Sequence, residues 1–474
     1  MNTGIVWFRQ DLRLHDNEAL TEAINHADEI YCVYVFDDRF FGKITKNGFR
    51  KMGPHRTQFY IESVKDLSEQ LKKKGISLII RRGKAEKEVL QLATELKSSF
   101  VYCNRERTQE EITIQDKLEK NLWSLGQEIK FVRGKMLYHT LDLPFPVAQT
   151  PDVFTAFRKE VEKFVPIRKP LDVPIDFKPG NQVVESMEIP KLEDFGYSKK
   201  LLESNRFFKG GEISGLNRLK YYLWDSNLIN QYKETRNDLL GDDFSSKFSP
   251  WLAAGCLSPK TIYHEIKKYE AENGDNESTY WLFFELLWRD YFRLISKKYG
   301  NKIFQYGGIQ GGNNIPSPNT IDRSKLDAWI NGQTGVPFID ANMRELAQTG
   351  YMSNRGRQNV ASFLINDLKL NWQLGAEYFE EQLIDYDVCS NWGNWNYLAG
   401  VGTDPRENRY FNILTQAKRY DPSGDYVRHW VNELANLKGE NIFMPHNLKA
   451  KELSSAKVEL GTNYPFPIVK TAKW

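Results

Sequence analysis

The side chains best suited to chemistry cluster in one C-terminal block, SNRGRQNVASFL (353–364), LIDYD (383–387) and VCSNWGNWNYLAGVGTD (388–404). Asp385 and Asp387 follow the apolar run EYFEEQLI. Two carboxylates so close beside a buried helix need hydrogen-bond donors or cations, and Arg357 is a candidate. Asn354, Arg355 and Gln358 share a face near a helix start, which suits phosphate or base-edge contacts, a solvated polar helix end being the plainer alternative. The block has no metal-ligand cluster and no nucleophile–histidine pairing. Its carboxylates, amides and indoles fit a redox cofactor with aromatic relays better than hydrolysis. Packing alone accounts for most of the 12 Trp, so Trp372, Trp392 and Trp395 are each read first as core residues.

Two further stretches carry polar groups in unusual places. Glu285, Trp288, Arg289 and Phe292, at relative spacings of 0, 3, 4 and 7, fall on one helical stripe. A carboxylate and a guanidinium there imply either a polar cavity or an i,i+4 pair at the edge of a buried face. The run Ser245, Ser246, Lys247, Phe248, Ser249, Pro250 offers hydroxyls, backbone N–H groups and a positive charge just ahead of a helix. That composition fits a phosphate cradle, or an ordinary capped helix. Tyr232 and Arg236, four apart on a preceding helix, are placed to close the same cavity.

The elements that must position these residues divide the chain. At 474 residues it exceeds one ordinary core, and two domains are expected. GIVWF (4–8), IYCVYVF (30–36), SLIIRRG (77–83), SFVYCN (99–104) and EIKFVRG (128–134) read as strands, separated by helical segments at 55–75 and 106–126 that end in Gly. The alternation predicts an α/β domain with a parallel, Rossmann-like sheet over residues 1–134, with ligands beyond the strand C-termini, where Arg9, Asp11 and Arg13 lie. Residues 135–204 are proline-rich and predict an extended connector. From 205 to 474 helices dominate: two Ser-Pro steps each place Ser as N-cap, and helices are expected at 281–300, 337–350, 353–370 and 375–384. Four scattered cysteines suggest neither disulfides nor zinc. The net charge of +3 leaves any nucleic-acid footprint local. The start lacks signal-peptide character and no apolar run approaches membrane length, so the cytoplasm is the expected location.

Together, VWFRQDLRLHDNEAL (6–20), MGPHRTQFYIESVKDL (52–67), YKETRNDLLGDDFSSKFSPWLAAGCLSP (232–259), TGVPFIDANMRELAQTGYMSNRGRQNVASFL (334–364) and LIDYDVCSNWGNWNY (383–397) resemble the photolyase/cryptochrome family, most closely its DASH-type cryptochromes. The resemblance spans nearly the whole chain. It implies FAD held bent in an all-α FAD-binding domain, with Tyr232 and Ser245 to Ser249 (Ser245, Ser246, Lys247, Phe248, Ser249) on the pyrophosphate side. Asp385 and Asp387 would face the ribose and flavin edge, Arg357 would balance Asp385, and Asn391 would sit at the flavin N5. The implied activity is light-driven splitting of cyclobutane pyrimidine dimers by electron transfer. Glu285 would hydrogen-bond the dimer, Trp288 would stack on it, and Arg289, Asn354 and Arg355 would contact lesion and backbone.

Gln358 stands where duplex-acting members of the family have Met, and Tyr397 where they have Trp. Both changes reduce apolar contact with a flipped dimer, so single-stranded DNA is the expected substrate, with RNA as an open alternative. Trp395 and Trp372 match the inner and middle members of the family's electron relay. Residues 300–328 hold no Trp for the outer one, leaving Trp329 or Tyr306 as exits. Glu106 matches a family Glu that binds 5,10-methenyltetrahydrofolate as antenna, although Arg105 replaces the usual neighbouring Gln. A blue-light receptor that binds partners without repair is the main rival. Repair of (6-4) photoproducts is disfavoured because SNRGRQ contains no His, and an NAD-linked flavoenzyme because no G-x-G-x-x-G follows a strand. A monomer is expected.

Overall fold

Residues 2–202, 207–311, 321–404, 409–471 and 474 are described by a computed structural model of the chain. Five strands, β1 (Thr3–Phe8), β2 (Glu29–Asp37), β3 (Leu78–Gly83), β4 (Phe100–Asn104) and β5 (Glu128–Val132), form one parallel sheet in the order β3-β2-β1-β4-β5. Every residue of β1 is buried, as expected for a strand covered by helices on both faces. Register runs Val6 opposite Cys32 and, on the other side, opposite Tyr102. The order reverses at β1, so a crevice opens beyond its C-terminal end between β2 and β4.

All five strands and the helices Pro54–Lys73 and Gln109–Trp123 lie where the sequence places them, and Glu18–His26 and Ala85–Leu96 add two more helices to the sheet. The connector is extended for much of its length, yet it carries a helix of its own, Phe154–Phe164. Val161 and Phe157 are fully buried there, which explains why this segment escapes the extended form.

The helical half is organised around the helix Glu277–Tyr299, capped by Asn276, whose side chain accepts from Ser278 and Thr279 N–H, and ended by Gly300 at φ +55. Asp290 on its buried face accepts the backbone N–H groups of Leu137 (3.1 Å) and Tyr138 (2.8 Å). That carboxylate fixes the start of the connector against the helix. Asn354–Ser362 forms the helix expected from 353, but it opens into a wider turn over Phe363–Asp367, where Leu368 N–H reaches Phe363 O at 3.0 Å. Ser258 caps the helix Pro259–Asn273 as the Ser-Pro step predicts. Ser249 does not: it is the first residue of a six-residue helix capped by Phe248, and its hydroxyl turns elsewhere.

Candidate functional site

A cavity of about 250 Å³ opens inside the helical half, between the segment 232–253, the helix Glu277–Tyr299 and the start of Asn354–Ser362. Of the residues singled out from the sequence, Tyr232, Ser245, Ser246, Lys247, Ser249, Glu285, Arg289, Asn354, Arg357, Asp385 and Asp387 line it. They come from segments as far apart as 155 positions, and the fold makes one wall of them.

The hydroxyl freed from capping explains the centre of that wall. Ser249 Oγ donates to Asp385 Oδ2 at 2.6 Å, and Arg357 Nη2 donates to the same oxygen at 2.8 Å. Arg357 is thereby held more firmly protonated: burial opposes this, and Asp385 outweighs it. Asp385 Oδ1 is buried without a hydrogen-bond partner in the protein. Asp387 is the N-cap of the helix Val388–Leu398, accepting Ser390 N–H at 2.9 Å through Oδ1, while Oδ2 receives Arg293 Nη1 at 2.8 Å. Burial alone would raise Asp387. Arg293 first and Arg289 next overcome it and hold the carboxyl below its ordinary range. Asn391 follows one turn later, 7% exposed, donating to Ala376 O at 3.1 Å.

Lys247 sits in the left-handed region at φ +54, and its ammonium donates to Gly241 O at 2.9 Å among the rings of Phe244 and Tyr351, 4.4 and 4.9 Å away. Burial pulls its pKa down. The side chain thus closes the loop on itself, and Phe248, 2% exposed, serves the core.

At the mouth, Glu285 pairs with Arg236, not with Arg289 one turn along. The i,i+4 alternative fails because Arg289 turns inward to the carbonyls of Lys135 (2.9 Å) and Leu252 (3.3 Å). Trp288 stacks on Phe154 of the connector helix, ring centres 3.7 Å apart and planes 8° from parallel, and meets the edge of Tyr397 at 5.9 Å. Arg409 lies 4.2 Å over the Tyr397 ring. Arg355 donates to Gln358 at 2.8 Å and to Asn237 at 3.2 Å, so the amide and guanidinium orient each other.

Behind the cavity, Trp395 (2% exposed) meets Phe379 edge-on at 5.2 Å, and Trp372 (0%) meets Trp392 at 5.7 Å. Trp372 Nε1 donates to Tyr306 O at 3.0 Å. Trp329 is wholly buried against Phe379, which ill suits it to be a surface exit. The expected outer position, about ten residues earlier, falls outside the described residues.

Glu106 lies elsewhere, on a second cavity of about 430 Å³ at the crevice beyond β1, which Glu380, Tyr386, Val388 and Trp392 of the helical half close. Its carboxylate is 4% exposed, paired with Lys135 and 3.4 Å from Arg293. Burial would raise it; Lys135, Arg9 and Arg293 hold it at about 2. Arg293 and Lys135 were missed from sequence. A signal existed for Arg293, which extends the stripe of Glu285 and Arg289 by one more turn.

Comparisons with known proteins agree with this arrangement. Residues 281–474 match the model of the FAD binding domain of DNA photolyase, and residues 4–175 match that of DNA photolyase. Cryptochrome DASH of Synechocystis is 49% identical, covering 98% of this chain and 95% of its own, and that of Xenopus laevis is 48% identical, covering 99% and 90%. A crystal structure of a Synechocystis cryptochrome superposes with a TM-score of 0.94 at 47% identity over 100% of this chain and 97% of that one. A bacterial class III photolyase from Agrobacterium tumefaciens superposes at 0.87 and 28% identity, over 100% and 95%. The site suits the flavin nucleotide this domain binds: Asp385, whose Oδ1 is a buried acceptor without a protein partner, lines the cavity beside hydroxyls and an arginine. With its parallel-sheet domain, its helical FAD-binding domain and relatives of this kind along nearly its full length, the chain belongs to the photolyase/cryptochrome family, alongside the DASH cryptochromes.

Proposed function

We propose that the protein is a light-driven lyase that splits cyclobutane pyrimidine dimers, preferentially in single-stranded DNA. The observation that carries the reading is the juxtaposition, on one cavity wall, of the Asp385–Arg357–Ser249 cluster with the Glu285–Arg236 pair at the mouth. Tyr232, the 245–249 segment, Arg357, Asp385 and Asp387 would hold FAD in the cavity, where its reduced form would supply light-driven electron transfer that is returned after the two cyclobutane bonds break, with no net redox change. A flipped dimer reaching the mouth would meet an acceptor in Glu285 and a donor in Arg236. The cation beside it stabilises negative charge gained by the pyrimidine. Trp288, held flat by Phe154, offers a surface for base stacking, and Asn354 with Arg355 offers donors for a strand's phosphates. Tyr397 and Gln358 are polar at the two positions that would otherwise grip the dimer, so less of the cost of unstacking is recovered, which favours strands already unpaired.

In this reading the interdomain cavity, with Glu106 on its wall, takes 5,10-methenyltetrahydrofolate as antenna. The four cysteines, all buried and free, suit the cytoplasm, and no helix among the described residues is long and apolar enough to cross a membrane. The test is light-dependent dimer cleavage by pre-reduced protein on matched single- and double-stranded oligonucleotides. Strong single-strand and weak duplex cleavage is expected. No cleavage of either, with reduced flavin bound, would move the protein to the light-sensing class.

A further inference from the structure

One short segment, 385–388, lines both cavities. Between the turn at 384–385 and the helix that starts at Val388, Asp387 is extended, with φ −117 and ψ 125, and its two neighbours serve a different cavity from its own. Asp385 and Asp387 line the flavin-site cavity, while Tyr386 and Val388 line the interdomain one. A row of alternating charges ends on this segment. Lys135 holds Glu106, Glu106 lies 3.4 Å from Arg293 Nη2, and Arg293 Nη1 lies 2.8 Å from Asp387. Lys135, Glu106, Arg293 and Asp387 are all buried, between 3% and 8% exposed at the side chain. Screening by water is therefore weak, and each charge depends on its neighbours.

We infer that Arg293 is a positioning residue that couples the interdomain cavity to the flavin site, so that a ligand hydrogen-bonding Glu106 changes how readily the bound flavin is reduced. The guanidinium serves two carboxylates with two nitrogens. When Glu106 is neutralised or engaged by a donor from its own cavity, Arg293 is left to Asp387 alone, and the flavin site becomes more positive. Reduction adds negative charge to the flavin, so it becomes more favourable. Removing Lys135 has the opposite sign, since Glu106 then draws harder on Arg293. By reciprocity, the redox state of the flavin changes the affinity of the interdomain cavity for its ligand. The inference needs only that FAD binds; it does not depend on dimer repair.

The measurement is the midpoint potential of FAD in the holoprotein, by spectroelectrochemical titration. Glu106→Gln should shift the reduction equilibrium about tenfold toward reduced flavin, an upward move of about 30 mV for a two-electron couple. Lys135→Met should move it down, and gives a second, independent reading should the first variant fold poorly. The decisive background is Arg293→Lys, which keeps the charge but cannot fork between two carboxylates. If the bridge transmits the effect, the Glu106→Gln shift largely disappears there. An equal shift in both backgrounds would show a through-space field with no role for the Arg293 geometry. An unchanged potential in Glu106→Gln and Lys135→Met would overturn the coupling altogether.

Discussion

Replacing Arg357 by Met isolates one buried charge with little change in volume. Asp385, whose side chain is 3% exposed, keeps only the Ser249 hydroxyl at 2.6 Å once the guanidinium at 2.8 Å is gone. Its Oδ1 already has no protein partner. Breaking a buried pair by removing one member costs about 3–5 kcal/mol, because the other charge is left uncompensated, and Met keeps enough bulk to limit any added cavity cost. Urea unfolding of the apoprotein, followed by tryptophan fluorescence, should show a loss in that range for Arg357→Met. The double variant Arg357→Met/Asp385→Asn removes both charges while leaving an acceptor for Ser249. Its loss should fall to about 1–2 kcal/mol, the scale of a hydrogen bond at a buried group, a recovery of about 2 kcal/mol or more over the single variant. A loss below about 1 kcal/mol in the single variant, or a double variant no more stable than the single, would refute the view of Asp385 as a buried anion neutralised by Arg357.

Other expectations follow from particular contacts. A Cβ on Gly375 would lie 2.2 Å from Trp395 Cη2, so Gly375→Ala should cost about 1–3 kcal/mol by overpacking; an unaltered melting temperature would show that the two helices can slide apart freely. Burial raises the Glu345 carboxyl to about 7 although Tyr426 donates to it at 2.6 Å. A folded-state pKa above the unfolded one means that this group's contribution is full at low pH and is lost as pH rises from the ordinary carboxylate range through about 7, by an amount on the order of 3 kcal/mol. Glu345→Gln should flatten that slope in urea midpoints measured between pH 4 and 8, and an unchanged slope would sink the assignment. Trp395→Phe should slow photoreduction of oxidised flavin yet spare cleavage by chemically pre-reduced protein; normal photoreduction would remove Trp395 from the relay.

The parallel sheet was legible because five short, largely buried apolar segments alternate with long amphipathic helices, a pattern few other folds accommodate. The short helices Glu18–His26 and Ala85–Leu96 gave weaker signals, burying four and six residues, several of them alanines. The connector helix hides behind prolines on both sides, and one of the contacts that holds it, the stack of Phe154 on Trp288, lies 134 positions away. Ser249 shows a different failure. Its sequence neighbourhood is that of an N-cap, but the hydroxyl can satisfy only one partner in this geometry, and a buried carboxylate is the stronger acceptor.

The site was legible where motif residues and their partners both lie in the recognisable stretches, as with Arg357 and Asp385, 28 positions apart. Arg293 reaches Asp387 across 94 positions and Glu106 across 187, and no periodicity reports such distances. Spacing along a helix places Glu285, Arg289 and Arg293 on one stripe, yet it cannot say that the first meets Arg236, the second two backbone carbonyls and the third the carboxylates of Glu106 and Asp387. That division arises because the helix Glu277–Tyr299 runs past three different surroundings in three turns. A residue type and a face therefore suffice to nominate a charged side chain, whereas its function depends on which cavity wall crosses the helix at that turn. Arg293 touches one carboxylate from each cavity, Glu106 and Asp387, so the inferred coupling of the two sites runs through it.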